Sequence, residues 1–254
     1  MIDCPNVRRK RNGVPILSKE EIDCYAEKIL YDYNPSSLLV PQETDIEDLA
    51  ENYLGYNMDF QFLSHNGIYL GMMVFNDTDK VVIYSPETQK AEYIHADAGT
   101  IIIDNNLLED NQKRRYKYTV GHEIGHGIYH TGYYCYNPDQ ITFTEYEHEP
   151  MVKCRQDAGA RQRPKKGELV TDNDWMEWQA NYTSAALCMP RKAVEIIARD
   201  CGFPNGSCNQ KQLQTELVNT FGVSAQAAAN RMKEFDYVTS NIKLFMSSQN
   251  WQYD

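Results

Sequence analysis

Apolar positions recur at helical intervals in Ile22, Tyr25, Ala26, Ile29 and Leu30, behind Ser18 and Glu21 at capping-box spacing. This pattern predicts a first amphipathic helix, which Pro35, Ser36 and Ser37 end. Thr44 and Glu47 repeat the capping-box spacing ahead of Ile46, Leu49, Ala50 and Tyr53, with Gly55 as the stop. From Met58 the period changes to two: Met58, Phe60 and Phe62 alternate with polar positions. The apolar runs Ile68–Phe75 and Val81–Tyr84 flank Asn76-Asp77-Thr78-Asp79, and Gly99 leads into Ile101-Ile102-Ile103. Three or four strands in a small sheet are expected here.

After Asn105-Asn106 the period returns to helical through Arg114, Tyr118, Val120 and His122, and Thr131-Gly132 supplies a stop. Residues 132 to about 170 are polar and aromatic and read as a long insertion or lid. Asp172 can cap a helix from Trp175 to Met189, which Pro190 closes. Further helices are expected around Arg191–Asp200, Lys211–Thr220 and Ser224–Phe235. The fold class is α+β, a small mainly antiparallel sheet with helices at both ends. The expected division is an N-terminal helical segment (1–40), a central domain (41–195) and a helical C-terminal extension (196–254).

Composition narrows the function classes. Hydrophobic content of 42% and charged content of 24% are those of a globular chain. A net charge of −11 repels nucleic-acid phosphate and anionic lipid, which favours a protein or peptide partner over direct nucleic-acid or membrane binding. Arg8–Arg11 is expected to be a solvated, mobile basic end. Without a signal-peptide core or an apolar run of about 18 residues, the expected location is the cytoplasm. Seven widely spaced cysteines then read as reduced thiols. Cys135, His148 and Cys154 lack the paired spacing of a structural zinc site. The Gly222-Val223-Ser224 junction has helices on either side but no basic stripe, so packing is favoured there over DNA readout.

The chemistry concentrates in His122-Glu123-Ile124-Gly125-His126. Residues four apart on a helix share a face, so both imidazoles can reach one metal ion, and zinc suits them best. A catalytic zinc needs a third protein ligand and an open position for water, which leaves Glu123 as the base. Tyr129 and Gly132 stand where a metzincin has Gly and His. His130 lies roughly 12 Å along the helix axis from His122, too far to share the ion. The later helix offers Glu177, flanked by Trp175, Trp178 and Ala180. His130 or one of the neighbouring tyrosines, such as Tyr129 or Tyr182, is a candidate for stabilising an oxyanion. Metal affinity should fall below roughly pH 6, because only a neutral imidazole ligates.

HEIGH, then EWQAN and a small-residue run ending in Met189-Pro190, resembles the ImmA/IrrE family of metallopeptidases, and FGVSAQAAANRM resembles that family's helical tail. The resemblance implies zincin-type helices bearing a zinc ion held by His122, His126 and Glu177, with Glu123 as catalytic base and Asn181 beside the ligands. It further implies a metalloendopeptidase acting on a regulatory protein, a DNA-binding repressor of a mobile element or stress response. The alternative is a non-proteolytic antirepressor whose zinc is structural. Gly121, Gly125 and Gly127 each cost about 1 kcal/mol relative to alanine in a helix. Either the helix backbone packs very close to the sheet there, or the helix is loose.

Overall fold

A computed structural model describes residues 7–135, 151–155, 171–203 and 208–235. Among these the chain is α+β, with eight helices and a mainly antiparallel sheet. Helix α1 (Lys19–Tyr33) is closed by the Ser18/Glu21 capping box and buries Ile22, Ala26, Ile29 and Leu30, as its spacing predicts. The second short helix, α2 (Ile46–Asp48), runs on into a π-turn at Leu49–Tyr53, and Gly55 follows at φ +74°. Its N-cap is Asp45 and not Thr44, whose hydroxyl instead donates to the Leu187 carbonyl at 2.9 Å. The Thr44 side chain is thereby used for a tertiary contact, and Asp45 satisfies the helix end.

Strands β1 (Asn57–Gln61), β2 (Tyr69–Val74), β3 (Thr78–Ser85), β4 (Lys90–Ala96) and β5 (Thr100–Asp104) follow. The main sheet has the order β1-β5-β2-β6, where β6 is Met151–Arg155. Only β1 and β5 run parallel. The predicted strands do not form one sheet: β3 leaves β2 after residues 76–77 and pairs with β4 as a separate two-stranded hairpin. Both faces of β2 and β5 are consequently covered. Met73, Ile101 and Ile103 join the core with the helices, while Met72, Val74 and Ile102 pack with Val81 and Ala96 of the hairpin. Two buried faces explain why these strands read as unbroken apolar runs and not as alternation. The interval 132–170, read as an insertion, supplies β6 to the edge of β2; its remainder from 136 to 150 and from 156 to 170, with His148, lies outside the described residues.

Two 3-10 turns lead into helix α3 (Lys113–Tyr129), and the single turn α4 (Thr131–Tyr134) follows it. Helix α5 (Asp172–Cys188) starts three residues earlier than expected, because Thr171 and Asp174 form its capping box. Helices α6 (Arg191–Asp200), α7 (Gln210–Phe221) and α8 (Ala225–Glu234) enclose a second core around Met189, Val194, Leu213, Leu217 and Phe221. Gly222 ends α7 at φ +62°, a left-handed cap that a side chain would strain.

Buried charges tie these helices to the rest. Lys117 of α3 donates to the Phe221 carbonyl at 2.7 Å and lies 3.3 Å from Glu43. Arg231 of α8 is 0% exposed; it donates to Asp23 of α1 at 2.5 Å and to the Met189 carbonyl at 3.0 Å. Asp23 also accepts from Tyr182 of α5 at 2.9 Å and Arg191 of α6 at 3.2 Å. Arg231 therefore faces inward at the Gly222 junction.

The basic N-terminal stretch is docked, contrary to the expectation of a mobile end. Arg9 donates to the Tyr129 carbonyl at 2.8 Å, Lys10 pairs with Asp172, and Asn12 donates to Asp172 at 2.6 Å. The segment caps both the end of α3 and the start of α5, where free carbonyls and an acidic first turn attract cations. No helix among the described residues is long and apolar enough to cross a membrane.

Candidate metal centre

Helix α3 can carry two ligands on one face only if α5 lies close, and the glycines make that approach possible. A Cβ on Gly125 would sit 2.9 Å from the Ala180 Cα, and one on Gly121 would sit 2.8 Å from the Ser184 hydroxyl. Gly127 faces the other way, towards Tyr56 and Met73. Of the two readings of these glycines, close packing holds, and for Gly121 and Gly125 the partner is α5 and not the sheet.

That approach brings together three residues that sequence reasoning proposed as ligands. His122 Nε2 and His126 Nε2 are 3.0 Å apart, and the Glu177 oxygens lie 3.5 Å from the first and 3.4 Å from the second. One ligand atom from each falls within 4.8 Å of the others, so the group could hold a metal ion. Both imidazoles are fully buried, whereas 24% of the Glu177 side chain reaches solvent. Asn181 lies where the sequence placed it, beside the ligands. Its amide donates to the Glu177 backbone carbonyl at 2.8 Å, so its oxygen is the acceptor for Tyr118 at 3.0 Å and for His122 Nδ1 at 3.2 Å. A proton on Nδ1 leaves the His122 Nε2 lone pair directed at the ligand cluster.

Glu123 sits on the adjacent face, between α3 and β2. A Cβ on Gly71 would lie 2.7 Å from its Oε1. Neither carboxylate oxygen has a hydrogen-bond partner, although both are buried. Burial pushes its pKa well above the ordinary carboxylate value and the Glu177 charge adds to this, while the Met73 N–H, near the carboxylate but outside hydrogen-bonding geometry, offsets it in part. Two buried imidazole nitrogens and one carboxylate are a donor set that fits a divalent cation, and the unpartnered Glu123 carboxylate lies beside it. Bound charge would offset the cost of burying Glu123.

Among the expected oxyanion groups, His130 and Tyr182 are otherwise engaged. His130 has both nitrogens within 2.9 Å of side-chain partners, His126 and Gln179, and the Tyr182 hydroxyl donates to Asp23. Gln179 was not singled out from the sequence; its one signal is a polar side chain two residues after Glu177 on a largely buried helix.

Burial lowers the His122 pKa to about 4, with Glu177 opposing and His126 assisting, and burial lowers that of His126 to about 3. Both rings are thus neutral well below pH 6, which moves the expected acid loss of metal affinity lower. Because the folded pKa values are depressed below 6.5, the unfolded chain binds more protons between pH 6.5 and 4. Stability from these rings is complete above that window and is lost as pH falls through it. Urea unfolding of metal-free protein should show this slope, and a His122→Ala/His126→Ala double variant should flatten it.

Substitution separates the ligands from the bystanders. Glu177→Ala should lower zinc retained after dialysis by at least about tenfold, while His65→Ala, at an exposed position, should retain the wild-type amount. Elemental analysis reads both. No protein-family model matches the chain, and no curated protein matches it.

Proposed function

We propose that the chain is a zinc-dependent metalloendopeptidase of the ImmA/IrrE type. Its substrate in this reading is a regulatory protein, a DNA-binding repressor of a mobile element or stress response. The observation that carries the reading is the convergence of His122, His126 and Glu177 beside a buried carboxylate with no hydrogen-bond partner. Such a carboxylate is costly as a structural element and useful as a base. A zinc ion in this site would supply Lewis acidity towards a peptide carbonyl and towards water. Glu123 takes the proton from the attacking water and returns it to the departing amine. Its upward-shifted pKa suits the return, since an acid is most effective with a pKa near the working pH. Asn181 orients His122 throughout.

Complete burial of His122, Glu123 and His126 favours a second reading, a non-proteolytic antirepressor in which the metal only braces α3 against α5. A tagged pull-down from host cells, comparing wild type with Glu123→Gln, separates the two. A DNA-binding protein recovered intact with Glu123→Gln and cleaved with wild type establishes the peptidase and its substrate. The same protein recovered intact with both makes the chain a binding module.

A further inference from the structure

A buried chain of hydrogen bonds runs away from the metal ligands and ends on the N-terminal segment. His126 Nδ1 is 2.9 Å from His130 Nδ1, and His130 Nε2 is 2.9 Å from the Gln179 side-chain oxygen. The Gln179 amide nitrogen donates to the Pro15 backbone carbonyl at 2.9 Å. His126 and His130 are 0% exposed and Gln179 is 1% exposed, and Pro15 is buried too.

The last link gives the chain a direction. A carbonyl oxygen can only accept, so the Gln179 amide nitrogen must face Pro15 and the Gln179 oxygen must face His130. His130 then donates from Nε2, and as a neutral ring it accepts at Nδ1. His126 must therefore donate from Nδ1, and its Nε2 carries a lone pair. Reversing the direction places two acceptors against each other at the Gln179 or Pro15 end, an unsatisfied pair in a site without solvent. His130 is 0% exposed and its two ring nitrogens face an imidazole and an amide, so no counter-charge bonds to it to hold an imidazolium.

We infer that Gln179 and His130 are positioning residues that fix His126 as its Nδ1–H tautomer, and that the Pro15 carbonyl is the anchor that sets this direction. The inference rests on the proposed metal site, where Asn181 sets the same tautomer on His122. With both rings so fixed, two lone pairs face each other at 3.0 Å, an arrangement that a cation between them relieves. The docked stretch from Arg9 to Pro15 is then part of the metal centre, because it delivers the carbonyl on which the chain ends.

The test uses the full chain labelled with 15N-histidine. Long-range 1H–15N spectra of metal-free protein read which nitrogen of His126 bears the proton, with its signals identified by their loss in His126→Gln. Wild type should show the Nδ1–H form, and Gln179→Leu should show a mixture of both forms. Zinc affinity, measured by competition with a chromogenic chelator, should fall about 10- to 100-fold in Gln179→Leu. The visible bands of the Co2+-loaded protein should shift in the same variant. Wild type carrying the proton on Nε2 overturns the inference without any variant. So does a Gln179→Leu protein whose His126 tautomer is unchanged and whose zinc affinity stays within about twofold of wild type. If wild type shows the Nδ1–H form and Gln179→Leu loses it, but neither takes up zinc, the relay stands and the metal site fails.

Discussion

Glu123→Gln should abolish the proposed peptidase activity, by roughly 10³-fold or more, while making the metal-free protein more stable at neutral pH. The two effects have one cause. The folded-state pKa of Glu123 lies well above 4.5, so between pH 4.5 and that value the folded protein binds more protons than the unfolded chain. Stability then falls as pH rises through the window, at up to about 1.4 kcal/mol per unit. Glutamine carries no charge and removes that slope, so the variant should gain on wild type at pH 8 and converge with it towards pH 5. For a chain of this size each kcal/mol gained appears as roughly 2–4 °C in Tm. Zinc content should be unchanged, since Glu123 is not among the three ligand residues. Calorimetry of chelator-treated protein at pH 5 and pH 8 decides the stability part. A variant no more stable than wild type at pH 8 would show that the carboxylate is not held under strain, and with it the case for a poised base would go.

Gly125→Ala should damage both stability and the metal-binding cluster with a single methyl group. Helix propensity alone would reward the change by about 1 kcal/mol. Against that, the new Cβ would stand 2.9 Å from the Ala180 Cα and 3.1 Å from its carbonyl oxygen. These are backbone atoms of α5 and have no rotamer in which to yield, so the helices must part. Overpacking of this kind costs typically about 1–3 kcal/mol, enough to reverse the sign. Glu177 stands one turn before Ala180, so a shift of α5 draws the carboxylate away from the imidazoles. Zinc affinity should fall by at least about tenfold. A chelator competition assay beside a urea titration would record both losses; a stabilised variant with intact affinity would mean that α5 accommodates the methyl freely.

The parts of the fold that were legible in the sequence are those fixed by near neighbours. α1 follows from Ser18, Glu21 and five apolar positions, and the last three helices follow from periodicity and from Gly222. The hairpin strand β4 escaped notice because most of its side chains are exposed, so it shows no buried face from which to read a period. β6 escaped because its pairing with β2 spans some eighty positions, a contact that no local pattern records. The site divides in the same way. His122, Glu123 and His126 are set by one helical turn. Glu177 could be offered by its apolar flanks but was assigned by resemblance, and the structure places it against both imidazoles. The glycines left open a close approach to the sheet or a loose helix; the approach is real, but for Gly121 and Gly125 it is to α5. Gln179 stayed unread because the carbonyl that orients it belongs to Pro15, 164 positions away.

Asp23 and Arg231 are separated by 208 positions, and this has a consequence for how the protein is made. At roughly 5–20 residues per second, the ribosome delivers the arginine some tens of seconds after the aspartate. Through that interval Asp23 has at most Tyr182 and Arg191 as partners and lacks its shortest ion pair, and a buried carboxylate short of a partner costs up to about 3–5 kcal/mol. The nascent chain is therefore expected to hold the seam between α1 and α5 less tightly until α8 has emerged. Translation arrested before Arg231 should release a chain in which His122, His126 and Glu177 are all present but less durably held together, which makes α8 the proofreader of a cluster it does not line.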